Sequence, residues 1–162
     1  MRGDVEAGAQ AFQDLFASYP GIPNVHYFCG YLLFPTRPDA AIAQFRQELT
    51  LSPASAVTNA MLAWALGIQG DYAGALPPAQ KAAAADPSLQ MAQLVLGRAL
   101  VETGAPAEGL PHLEAALKAD GGNVEAHMAM AKAYSELGRK DDARRERLES
   151  MRLSTGGSDA AP

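Results

Sequence analysis

Apolar residues recur every three or four positions in a series of segments about twelve to fourteen residues long, the spacing of one buried stripe on an α-helix. Leu62 and Leu66, Leu96 and Leu100, and Met130 and Tyr134 form three such stripes in one register, 34 residues apart, and Phe45 and Leu113 mark the segments that follow a stripe. Between stripes, Gly70-Asp71, Gly104-Ala105 and Gly138-Arg139 read as turns, and Pro20, Pro53 and Pro87 close the second segments. Glycine accepts the left-handed backbone that ends a helix, and proline cannot extend one. The predicted unit is helix, turn, helix, stop.

Two further columns share the period. Gly30, Ala63, Gly97 and Ala131 in the first helices, and Ala41, Ala75, Gly109 and Ala143 in the second, are small residues where two helix backbones can cross closely. Gly74-Ala75-Leu76-Pro77-Pro78 looks at first like a linker, because proline inside a helix costs roughly 3 kcal/mol. However, Gly74-Ala75-Leu76-Pro77 aligns with Glu108-Gly109-Leu110-Pro111, and a domain break would not recur in register. Both prolines are therefore expected within the first turn or so of a second helix, where an amide has no intrahelical partner to lose, or nearly none.

This pattern resembles the tetratricopeptide repeat family over residues 3–153. The resemblance implies an all-α fold, a right-handed solenoid of antiparallel helix pairs, with full repeats at 23–53, 56–87, 90–121 and 124–153 in one domain spanning 1–153. The first repeat departs from the pattern: it is one turn residue short and carries Pro35-Thr36-Arg37-Pro38 where the others have glycine. Upstream, residues 3–20 match a lone second helix, bearing Val5, Ala9, Phe12, Leu15, Phe16 and Tyr19. That apolar face suggests a homodimer through the N-terminal helix, or packing on sequence further upstream. The charged segment 139–153 reads as a solubilising cap, with Asp141, Arg145 and Glu149 at helical pairing distance, and 154–162 reads as a disordered tail.

Composition narrows the function. With 48% hydrophobic and 19% charged residues the chain belongs with folded globular proteins, and its net charge of -5 argues against a nucleic-acid partner. No run of 18 apolar residues or signal-like segment is present, so no membrane role is expected and a cytoplasmic location is. The one cysteine, Cys29, rules out an internal disulfide and reads as core, since its column continues as Leu62, Leu96 and Met130. His26, His112 and His127 include no pair at zinc-site spacing, and there is no phosphate-binding loop, so no cofactor, metal or catalytic residue is expected. His26 and His127 share a column, which points to a structural role.

In this family the concave face is lined by first helices, and the resemblance nominates its residues. They are Asn24, Tyr27, Tyr31 and Phe34 from the first repeat; Val57, Ala60, Trp64 and Ile68 from the second; Met91, Leu94, Arg98 and Glu102 from the third; and Glu125, Met128, Lys132 and Glu136 from the fourth. Family members that clamp the carboxylate end of chaperone tails use Lys and Asn at columns held here by Tyr27, Tyr31, Trp64 and Leu94. Only Arg98 and Lys132 remain to meet an acidic ligand. The expectation is a non-catalytic module binding a segment of another protein in this groove. Two alternatives are the repeat region of a larger enzyme or secretion component truncated upstream, and a self-associating scaffold.

Overall fold

The computed structural model describes residues 22–155 continuously, together with Ala7, Gly8, Gln10, Ala11, Asp14, Leu15, Ala17 and Ser18. Eight helices follow one another over 22–155: α1 Val25–Leu33, α2 Pro38–Leu51, α3 Ala56–Ile68, α4 Tyr72–Ala85, α5 Gln90–Glu102, α6 Pro106–Ala119, α7 Val124–Glu136 and α8 Lys140–Ser154. They pair as α1–α2, α3–α4, α5–α6 and α7–α8, and each second helix packs on the next first helix. First helices also touch across units, α3 on α5 and α5 on α7. Among the described residues no comparable contact joins second helices, so the first helices form the tighter, inner side. None of these helices is long and apolar enough to cross a membrane.

The turns explain why three units are alike and one differs. Gly70, Gly104 and Gly138 adopt φ of 80°, 88° and 74°. Each lets the following amide reach back five residues: Asp71 to the Leu66 carbonyl at 3.0 Å, Ala105 to Leu100 at 2.8 Å and Arg139 to Tyr134 at 2.8 Å. The first unit, one residue shorter, has no such glycine. There the Arg37 amide donates to the Leu33 carbonyl at 2.7 Å and Pro38 opens α2 at its first position.

The small-residue columns sit at the helix crossings. A Cβ on Gly97 would lie 2.7 Å from Leu113 Cγ and 3.0 Å from the Gly109 carbonyl oxygen, and one on Gly109 would lie 2.7 Å from the Gly97 carbonyl oxygen. Around them Leu62, Leu66, Leu96, Leu100, Met130, Tyr134, Phe45 and Leu113 are buried as the periodicity predicts. The half-buried Trp64 packs against both the core of the first three units and that of the last two.

One expectation fails here. With α4 starting at Tyr72, Pro77 and Pro78 occupy its sixth and seventh positions, in the second turn rather than the first, and Pro111 stands at the same sixth position of α6. The helix persists because its contacts with the flanking helices hold it, and the carbonyls deprived of donors belong to the exposed Ala73 and half-exposed Gly74, which water reaches. Replacing Pro78 by glutamine restores an amide inside a helix. It is expected to raise unfolding stability by about 1 kcal/mol, after the proline's restriction of the unfolded chain is offset, as read by urea titration.

The N-terminal lone helix is described only in part. Its described residues are helical, and a Cβ on Gly8 would lie 2.7 Å from Leu32 Cδ2, so this segment packs on α1. Leu15 is exposed, while Val5, Ala9, Phe12, Phe16 and Tyr19 lie outside the described residues. At the other end α8 runs through Ser154, one residue into the expected tail, and 156–162 lie outside the described residues.

Candidate functional site

A polar column links each first helix to its surroundings. Asn59 Nδ2 donates to the Pro53 and Ser55 carbonyls at 3.0 and 2.9 Å, Gln93 Nε2 donates to the Pro87 carbonyl at 2.9 Å, and His127 Nε2 lies 3.1 Å from the Gly121 carbonyl. In each case one acceptor, the carbonyl of Pro53, Pro87 or Gly121, is six residues back, in the loop that closes the previous unit. The same column reaches across to the second helix. His26 Nδ1 lies 2.7 Å from Gln44 Oε1, Gln93 Oε1 accepts from His112 Nδ1 at 2.7 Å, and His127 Nδ1 lies 2.7 Å from Glu146 Oε2. Burial holds the His112 imidazole below its usual pKa, in the neutral state that needs one donor and one acceptor.

Gln44, Pro78, His112 and Glu146 are 34 residues apart, so the second unit carries proline where the others carry the clasp. The histidines are thereby engaged as structural ties, and His112 is half-buried. Burial pushes the Cys29 thiol above its ordinary pKa, away from the thiolate a nucleophile requires.

Near the start of the array Glu48 is completely buried on α2. Its Oε1 accepts the Asn24 amide at 2.9 Å, fixing a residue with left-handed φ of 67°, while Oε2 has no hydrogen-bond partner. Glutamine keeps the acceptor and removes the charge. Glu48→Gln is therefore expected to be neutral or to stabilise, and Glu48→Ala, which strands the Asn24 amide, to destabilise by about 1–3 kcal/mol in the same titration.

The uncharged nominated groove residues separate into three groups. Tyr31, Val57, Ile68 and Met128 are exposed apolar side chains, with Tyr31 at 59% and Met128 at 60%. Tyr27 stacks on Tyr31 with ring centroids 6.3 Å apart, packs against Phe45 at 6.1 Å, and is half-buried with Phe34, Trp64 and Met91; Asn24 lies exposed at the rim. Ala60 and Leu94, expected to line the groove, are buried instead. Both stand where the next unit's first helix packs, and that neighbour covers them.

The charged members form a closed set. Arg98 bonds Glu125, donates to the Tyr72 hydroxyl at 2.8 Å, and lies over the rings of Tyr72 and Trp64 at 5.3 and 5.8 Å. Lys132 bonds Glu102 and stands 3.9 Å from Glu136. Burial raises the Glu125 pKa against the opposing pull of Arg98, so the guanidinium does not wholly replace the water this carboxylate has lost. Arg98 and Lys132 are thus each paired with a carboxylate of a neighbouring unit, which any acidic ligand would have to displace. Tyr72, from a second helix, was missing from the expected site although it anchors Arg98. Between α5 and α7 these residues border a depression of about 490 Å³ with Met128 and Ala129 on its apolar side.

The comparisons agree with this architecture. A family model described as tetratricopeptide repeat matches residues 102–146. Among solved structures, a crystal structure of MamA superposes with a TM-score of 0.80 at 18% identity, covering 97% of this chain and 92% of that one. MamA 41-end from Desulfovibrio magneticus RS-1 gives 0.82 at 20% identity over 98% and 90%. YrrB, described as a TPR protein with an unusual peptide-binding site, gives 0.78 at 17% identity over 93% and 78%. A search of curated protein sequences found no match. Left-handed turn glycines, crossing columns of small residues and the matched repeat at 102–146 together give the chain a tetratricopeptide-repeat fold, an all-α solenoid of paired helices.

Proposed function

We propose that the chain is a non-catalytic protein-interaction module that takes a partner segment along the face of α1, α3, α5 and α7. The observation that carries this reading is the set of exposed apolar side chains on three of the four first helices, Tyr31 on α1, Val57 and Ile68 on α3 and Met128 on α7, the last beside the depression between α5 and α7. Exposed apolar surface on a helix face rimmed by polar residues marks interaction sites. Tyrosine supplies a large contact area with little entropy to lose, and methionine adapts its shape.

Because the groove's cations are already paired with Glu102 and Glu125, the segment is recognised chiefly through apolar side chains. An acidic ligand would have to displace those carboxylates. The net charge of -5 favours a protein over a nucleic-acid partner.

The test is affinity capture with the whole chain, followed by binding of the purified captured protein to a Tyr31→Ser/Ile68→Ser variant. Both side chains are exposed, so the variant should keep its helicity and unfolding midpoint while affinity falls at least tenfold, about 1.4 kcal/mol. Unchanged affinity in a folded variant would refute the assignment of this face.

A further inference from the structure

A second depression, of about 530 Å³, lies at the C-terminal end of the array between α7 and α8. The repeat itself says what fits it. Stepping back 34 residues from Met128, Ser135, Arg147 and Ser150 gives Leu94, Val101, Leu113 and Ala116, all buried in the cluster that receives Ala126, Ala129 and Ala133 of α7. One unit earlier, Ala60, Gly67, Ala79 and Ala82 are buried in the same way beside α5. In the second and third units this surface is the seat of a helix.

The charges repeat with the shapes. Arg98 and Glu102 of α5 hold Glu125 and Lys132 of α7, an acid and a base seven residues apart beside small residues. Thirty-four positions on, Lys132 and Glu136 present the same order of base and acid at the open end face. Serine in place of Val101 and arginine in place of Leu113 are exposed and hydrate that face, while Ser150, in place of Ala116, stays buried. Yet Met128 and Met151 remain 60% and 63% exposed on it, and thioether side chains suit a surface that must repack against a partner.

We propose that the α7–α8 end face docks an amphipathic helix of a partner protein. That helix carries an acid and a base seven residues apart, flanked by alanine-sized residues, and lies on Met128 and Met151 as α7 lies on the unit before it. This surface shares Met128, Lys132 and Glu136 with the last repeat of the first-helix face and differs from it in its α8 side, Arg147, Ser150 and Met151.

The probe is a fluorescent peptide of residues 122–138 of this chain, the α7 sequence itself. A lactam on its outward side holds it helical, and circular dichroism verifies the helix. Anisotropy with the full chain should show saturable one-to-one binding. Glu136→Lys on the chain should weaken it at least tenfold, and a peptide carrying Lys132→Glu should restore it. Met151→Asp should abolish binding, whereas Tyr31→Ser/Ile68→Ser should leave it unchanged. Absence of saturable binding by a verified helix, or binding indifferent to Glu136→Lys, would overturn the proposal. A concentration-dependent dimer that Met151→Asp dissolves, without peptide binding, would overturn it in favour of a second copy on this face.

Discussion

Gly109→Val should be the most damaging single substitution in the third unit, lowering stability by about 3 kcal/mol or more. The added Cβ alone would stand 2.7 Å from the Gly97 carbonyl oxygen and 2.8 Å from Val101 Cγ2, and two further methyl groups must also find room. Neither neighbour is the free end of a flexible chain, so α5 and α6 must separate. Each unit of a solenoid contacts only its neighbours, so the loss stays local. Urea unfolding followed by circular dichroism should change from one transition to two, with α5–α8 melting before the first two units. A single transition shifted by less than about 1 kcal/mol would mean the crossing is not close-packed.

Trp64→Ala should cost about 2–4 kcal/mol, toward the lower part of the range for deleting a large aromatic because the ring is only half-buried. Trp64 packs on both core clusters and under Arg98, whose guanidinium also ties Tyr72 and Glu125. Removing it therefore loosens the joint between second, third and fourth units. Tyr31→Ala, by contrast, removes an exposed ring and should change stability by less than about 0.5 kcal/mol. The contrast separates two residues that look alike from sequence. If both variants were equally stable, the role of Trp64 as a joint between units would be wrong.

Much of the fold can be read from periodicity, because a helix pair repeated four times exposes its rules four times. Gly70, Gly104 and Gly138 announce the left-handed turns, and the small columns at Gly97 and Gly109 announce the crossings. Position within a helix is harder. The alignment of Pro77 with Pro111 correctly argued against a break but did not say where α4 begins, and both prolines prove to lie a turn deeper. Tertiary contact there overrides a local propensity.

The exposure and pairing of the first-helix side chains were legible only in part. Ala60 and Leu94 share a column with Tyr27 and Met128, but burial in a solenoid depends on the neighbouring unit, which column membership ignores. Arg98 and Lys132 looked available because their partners, Glu125 and Glu102, are 27 and 30 residues away. The polar clasp had a visible signal in the 34-residue recurrence of Gln44, His112 and Glu146. It escapes a search for hydrophobic stripes because it is polar and because Pro78 interrupts it.

Hydrogen–deuterium exchange of the chain, alone and with its captured protein partner, tests most directly whether the first-helix face is the binding surface. Added protection should concentrate in the groove-facing first helices α1, α3, α5 and α7. Protection confined to the second helices α2, α4 and α6, with the first helices unchanged, would contradict it.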